Sequence, residues 1–231
     1  MQIGLIGLGR MGANIVRRLL KGGHEIVIFN RTQEKMKPLA NEGAIATSSL
    51  DQFVARLAPP RAAWVMVTAG EPTEMILNDL AARLSPGDIL IDGGNSRFQD
   101  DVRHAQTFGE KQIRYLDAGV SGGVWGLERG YCLMVGGDEN AFRHLEPVFQ
   151  TLAPGRGDVP PAPGREERDG KSTASDDYLY CGPAGAGHFV KMIHKPQIRG
   201  RAELLRAERH RVHPLVPGRG GRTGPARRSA R

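Results

Sequence analysis

Short apolar runs rich in Ile and Val alternate along this chain with longer stretches whose apolar residues recur every three or four positions. Ile3–Ile6 reads as a buried strand and Met11–Leu20 as a helix. Glu25–Phe29 is the next strand, followed by a helix from Gln33 to Ala40. Ala62–Val67 reads as a third strand, and the helix after it runs from Pro72 to Leu84, with Pro72 suited to a first turn. The cluster Ser85-Pro86-Gly87-Asp88 predicts a turn before a strand at Ile89–Ile91. Ile113–Leu116 and Tyr131–Val135 add two strands, and Glu139–Leu152 a further helix. Strands that alternate regularly with helices specify a parallel sheet of βαβ units, an α/β, doubly wound fold of Rossmann type.

Two segments break the rhythm. Residues 154–177 carry four prolines and four glycines without an aromatic residue, and read as a flexible surface insertion within a domain spanning 1–194. Residues 195–231 hold 11 of the 32 Lys+Arg but only Glu203 and Glu208 on the acidic side, a net charge of +9. The formal charge of +7 therefore belongs wholly to this tail, and the body is slightly acidic at −2. Nineteen of the tail's 37 residues are Arg, Gly or Pro, which predicts disorder. Such an arm could contact RNA, but the acidic body gives no reason to expect a nucleic-acid partner.

The two cysteines, Cys132 and Cys181, are too few for a zinc cluster or a disulfide framework, so no metal is expected and a cytoplasmic setting is. No apolar run reaches the ~18 residues of a membrane helix. The opening Met1–Gly7 lacks the basic flank of a secretion signal.

Gly7-Leu8-Gly9-Arg10-Met11-Gly12 matches GxGxxG and joins the first strand to the first helix. The first glycine permits a tight turn, the second lets the backbone approach a pyrophosphate, and the third lets helix and strand pack closely. Where a ribose-binding carboxylate would end the second strand, the chain has Asn30-Arg31-Thr32. Nothing acidic there repels a 2′-phosphate and Arg31 can pair with one, so NADP is expected over NAD.

Three further segments narrow the reading. They are Asp92-Gly93-Gly94-Asn95-Ser96, Asp117-Ala118-Gly119-Val120-Ser121-Gly122-Gly123, and Gly185-Ala186-Gly187-His188-Phe189-Val190-Lys191-Met192-Ile193-His194. With the fingerprint, this set resembles the decarboxylating 6-phosphogluconate dehydrogenases of the β-hydroxyacid dehydrogenase superfamily, over residues 1–194. The resemblance implies that Lys191 is the general base and that Asn95, Ser121, Gly122, Gly123 and His194 bind a sugar-acid phosphate. It also puts Asn95 beside the nicotinamide and Val67-Thr68-Ala69 at a strand end that contacts the cofactor. Lysine serves as a base only with its pKa lowered by burial or a neighbouring cation.

Beyond His194 the family pattern stops. The expected asparagine is Lys195, the glutamate acting as general acid falls at Ile198, the following tyrosine falls at Arg199, and Pro196 interrupts the helix. The resemblance implies a homodimer built by a helical domain that has no counterpart in the tail. Out-of-frame translation of a GC-rich gene accounts for the abrupt switch; a divergent tail is the alternative, and the sequence of the genomic locus separates them. Another β-hydroxyacid dehydrogenase, or a non-catalytic nucleotide- or RNA-binding fragment, are the rival readings of function.

Overall fold

The computed structural model describes residues 1–157 and 172–193. His194 and the tail, with the expectations placed on them, lie outside the described residues, as does most of the 154–177 segment.

One eight-stranded sheet organises these residues. Its strands are β1 (Gln2–Ile6), β2 (Glu25–Phe29), β3 (Ile45–Ala46), β4 (Ala62–Val65), β5 (Ile89–Asp92), β6 (Arg114–Ser121), β7 (Cys132–Gly137) and β8 (Tyr178–Gly182). They lie in the order β3-β2-β1-β4-β5-β6-β7-β8. The first six follow the 3-2-1-4-5-6 order of a doubly wound dinucleotide fold.

Every pairing from β3 to β6 is parallel, but β6 and β7 pair antiparallel, Ser121 opposite Cys132. The expectation of a wholly parallel sheet is thereby corrected. The link at 122–131 is shorter than the dozen residues a parallel crossover needs. It holds only a 3₁₀ turn at Gly123–Trp125 and a single helical turn, labelled α6 below.

The helices are α1 (Arg10–Lys21), α2 (Met36–Asn41), α3 (Leu50–Arg56), α4 (Glu71–Ala81), α5 (Phe98–Gly109), α6 (Gly126–Arg129) and α7 (Glu139–Leu152), with α8 at residues 186–193. Alternate side chains of the central strands serve opposite cores. Ile3, Leu5, Trp64 and Ile91 pack with Ile15 and Leu19 of α1 and Leu145 and Phe149 of α7. Ile6, Ala63, Val65 and Leu90 pack with Phe53 of α3, Leu77 of α4 and Phe108 of α5. Burial on both faces is what makes these strands continuous apolar runs.

Some boundaries differ from the pattern. β4 stops at Val65, freeing Val67, Thr68 and Ala69 to form the loop beyond it. β6 begins one residue later than read and runs on to Ser121. The sequence pattern does not predict β3, α3, α5 or β8. No helix of the described residues is long and apolar enough to cross a membrane.

Candidate active site

Because β2, β1, β4, β5 and β6 are parallel, their carboxyl ends share one edge of the sheet. On that edge stand the Gly7–Gly12 loop, Asn30–Thr32, Val67–Ala69, Asn95 and Ser121–Gly123. The strand order reverses between β1 and β4, and there ligands of this fold class bind.

The glycines of the fingerprint serve three purposes. Gly7 has φ 96°, and a Cβ there would lie 2.5 Å from the Met66 carbonyl oxygen. Gly12 packs so closely that a Cβ would collide with the Gly7 carbonyl. At Gly9, by contrast, a Cβ would meet nothing within 4 Å. Gly9 is exposed and caps α1, so its bare backbone faces open space at a helix N-terminus, and a pyrophosphate fits there. Leu8 N donates to Asn30 Oδ1 (2.9 Å) and Asn30 Nδ2 to the Thr32 carbonyl (2.8 Å), fastening the loop to the end of β2. Asn30 thus has a structural duty, whereas Arg31 and Thr32 are exposed. Arg10 is also exposed and Met11 half-buried.

Asn95 owes its place to Asp92, the last residue of β5. Wholly buried, Asp92 accepts hydrogen bonds from Gly94 N (2.8 Å) and Ser96 Oγ (2.6 Å), curling the chain so that Asn95 is exposed at the rim.

β6 works through alternate residues of one face. Asp117 accepts from Gly185 N (2.7 Å) and His188 N (2.8 Å), receiving the first turn of α8. Gly119 leaves room for the Lys191 stem, which a Cβ would approach to 2.8 Å. Ser121 ends the strand on the same face, half-buried. Gly122 and Gly123 follow at φ 148° and 56°, and Gly122 rests against the buried ring of Tyr131.

These two constructions meet at one contact. Lys191 Nζ donates to Asn95 Oδ1 at 2.7 Å, joining residues 96 apart in sequence. The expected base and an expected substrate ligand therefore lie in direct contact above the sheet edge.

Beneath them lies a polar cluster not nominated from the sequence. Asp101 of α5 accepts from Tyr115 OH (2.8 Å) and pairs with His188 Nδ1 (2.7 Å). Burial raises the pKa of Asp92, and burial and then the neighbouring Asp101 charge raise that of Asp117. Burial would lower the pKa of His188, but Asp101, Asp92 and Asp117 carry it above the ordinary histidine value. Each oxygen of Asp101 and of Asp117 has a hydrogen-bond partner from the protein itself. The sequence signal for Asp92 and Asp117 is an acidic residue inside an aliphatic run, Ile-Leu-Ile-Asp and Tyr-Leu-Asp-Ala.

Residues 2–158 match the family described as the NAD binding domain of 6-phosphogluconate dehydrogenase. The chain belongs to this family. It is 40% identical over 194 residues to a Bacillus subtilis (strain 168) protein provisionally named 6-phosphogluconate dehydrogenase, covering 84% of this chain and 58% of the relative. It is 39% identical, with the same coverage, to a Haloferax volcanii protein named 6-phosphogluconate dehydrogenase, NAD(+)-dependent, decarboxylating. The chain thus spans less than two thirds of these relatives. Among solved structures, Plasmodium falciparum 6-phosphogluconate dehydrogenase superposes with a TM-score of 0.72 at 28% identity, covering 84% of this chain and 39% of that one. Mycobacterium tuberculosis 3-hydroxyisobutyrate dehydrogenase superposes with a TM-score of 0.68 at 26% identity, covering 84% and 58%. What these matches share with the chain is the dinucleotide-binding fold and the sheet edge described above.

Proposed function

We propose that the chain is the cofactor-binding part of an NADP-linked oxidative decarboxylase that converts 6-phospho-D-gluconate to ribulose 5-phosphate and CO₂. The observation that carries this reading is the Lys191–Asn95 contact at 2.7 Å, on the edge that also bears the glycine fingerprint and Ser121. Gly7–Gly12 would hold the pyrophosphate, Arg31 the 2′-phosphate, and Val67–Ala69 the cofactor beside the β4 end. A bound nicotinamide supplies the hydride acceptor.

Lys191, when neutral, takes the proton of the substrate hydroxyl being oxidised. Asn95 and Ser121 hold the sugar acid by hydrogen bonds, and Gly122 and Gly123 offer backbone amides unencumbered by side chains. The resemblance assigns the family's proton donor to position 198, and Ile198 cannot donate one. The chain as it stands therefore binds its ligands but turns over little. The free thiols Cys132 and Cys181 fit a reducing, cytoplasmic setting.

The cofactor preference rests on Arg31 and the missing carboxylate. The Haloferax relative's NAD(+)-dependent name argues the other way, so the two dinucleotides are compared directly. Calorimetry of the full chain with NADP⁺, NAD⁺, 6-phosphogluconate and 3-hydroxyisobutyrate tests the reading. NADP⁺ and 6-phosphogluconate are expected to bind more tightly than their competitors. Binding of 3-hydroxyisobutyrate without 6-phosphogluconate would replace the proposal with a sibling dehydrogenase, the reading favoured by the Mycobacterium structure.

A further inference from the structure

The Asn95 loop and the helix that carries Lys191 are each held by a buried aspartate, and those aspartates are neighbours. Asp92 and Asp117 are register partners on β5 and β6, both with no exposed surface. Adjacent like charges on neighbouring strands repel, and more so away from water. A third buried carboxylate, Asp101, approaches from α5.

Among the described residues, the groups facing this cluster are few. Tyr115 on β6 is a neutral donor, its hydroxyl 2.8 Å from Asp101, and its pKa is pushed well up by burial and then by Asp92 and Asp101. His104 on α5 lies 3.4 Å from the Tyr115 hydroxyl through Nδ1 and turns Nε2 to Glu74 on α4. Lys191, three residues along α8, reaches out to Asn95. His104 stands with Asp92 and Asp101, whereas His188, with Nδ1 2.7 Å from Asp101 and 4.0 Å from Asp117, is the histidine set between Asp101 and Asp117.

We propose that His188 is a positioning residue whose protonated ring holds Asp101 and Asp117 together, so that α8 seats Lys191 against Asn95 only while His188 carries its charge. The main-chain N–H of His188 is bonded to Asp117 and its ring to Asp101, so one residue ties α8 to both β6 and α5. Its Nε2 is buried without a hydrogen-bond partner. A second ring proton there lacks an acceptor, which opposes it, and the adjacent carboxylates Asp101, Asp92 and Asp117 are what favour it. When that proton leaves, Asp101 and Asp117 lose the cation between them, and the α8 start that Asp117 holds is the element free to give way.

The inference rests on reading Lys191 and Asn95 as a working pair, and its test follows the contact rather than turnover. The ¹⁵N-labelled full chain is titrated by NMR from about pH 5 to 9, a range that brackets histidine titration. The His188 ring is followed by long-range ¹H–¹⁵N correlation, and the Asn95 side-chain amide is assigned by its loss in Asn95→Asp. The imidazolium is expected to persist to a pH where ordinary histidines are neutral, and the Asn95 amide to shift with the same midpoint. Asp101→Asn moves both midpoints to lower pH together, and His188→Gln abolishes the Asn95 step. A purely structural histidine would alter thermal stability yet leave the Asn95 amide without a step. The proposal is overturned if His188 is neutral throughout, or if the Asn95 amide is flat while His188 titrates. The wild-type titration decides this even if a variant fails to fold. Coupling in a chain that ignores 6-phosphogluconate would sink only the proposed function, and binding without coupling only this inference.

Discussion

Gly119 is where a single methyl group tests how the base is seated. A Cβ there would lie 2.8 Å from Lys191 Cβ, 2.9 Å from the Gly187 carbonyl oxygen and 3.2 Å from Lys191 Cδ. The first two are fixed parts of α8, so Gly119→Ala has to lift the helix rather than bend a side-chain tip. Restoring an ordinary carbon–carbon approach of ~3.5 Å needs a lift of roughly 0.7 Å. The same lift stretches the bonds from Gly185 N and His188 N to Asp117, now 2.7 and 2.8 Å, past the ~3.2 Å at which such bonds weaken. Overpacking and the weakened charge-assisted bonds together cost about 2–4 kcal/mol. In a chain of this size that is a fall in Tm of roughly 5–15 °C. Thermal unfolding reads the cost, and amide hydrogen exchange at 186–193 localises it. Gly9→Ala is the control: its Cβ meets nothing and its φ of −69° suits any residue, so stability should hold within about 0.5 kcal/mol. If Gly119→Ala melts with the wild type and α8 exchanges no faster, Lys191 is not seated through Gly119 and the reasoning fails.

Gly9→Ala should nonetheless weaken dinucleotide binding about tenfold or more, since losing backbone hydrogen bonds to a charged phosphate costs ~1.5–3 kcal/mol; unchanged affinity by calorimetry would mean that the open space above Gly9 is not the phosphate seat. Arg31→Ala should cut any preference for NADP over NAD by about tenfold or more on the same grounds, and an unchanged ratio refutes the 2′-phosphate assignment. Ser121→Ala should weaken 6-phosphogluconate and leave NADP affinity nearly intact; a collapse of NADP affinity would make the serine a turn residue. Because His188 has its pKa raised above the ordinary 6.5, the wild type's stability advantage over His188→Gln should be full below that value and shrink as pH rises through the raised one. His24, its pKa lowered by burial and then by the N-terminal charge, contributes with the opposite sign, so the comparison is made as a difference between the two proteins by urea titration.

Most of the sheet was legible because its strands are buried on both faces, and Val27, Ile28, Leu90 and Ile91 admit no other reading. α5 was hidden because two of the three residues it buries are polar, Asp101 and His104 beside Phe108, so its apolar periodicity is weak. β3 is two residues long, too short for alternation to register. The antiparallel β7 follows from link length rather than strand pattern, and Tyr131–Val135 looks the same in either direction. At the site, the segments holding Gly7–Gly12, Asn95, Ser121 and Lys191 stand out in the local sequence, and the structure brings Lys191 to Asn95. Asp117 and Gly119 lay inside a quoted motif, but their work depends on α8, about 70 residues on, crossing β6. Local sequence does not encode that crossing.

The arrangement around α8 is costly in a way that bears on its purpose. Three carboxylates buried beside two histidines are a poor source of stability, since well-packed apolar residues of similar volume are often as good or better. α8 also turns Phe189, Met192 and Ile193 outward, at 41%, 50% and 44% exposure, while His188 is buried. A helix oriented by the hydrophobic effect alone would bury the first three and expose the last. Two bonds to Asp117 and one to Asp101 hold it the other way round. In that orientation the Lys191 stem runs over Gly119 and its amine meets Asn95 at the sheet edge. Stability is given up at the element that aims the amine, and there a fold built for chemistry departs from one built for packing. Replacing Asp101 and His188 with apolar residues of matching volume and Tyr115 with Phe, while Asp117 is kept as the acceptor of the two main-chain N–H groups, should therefore leave Tm unchanged or raised while the Lys191–Asn95 contact is lost by NMR. If the contact survives that replacement, the Asp101–His188 pair has no part in aiming the lysine.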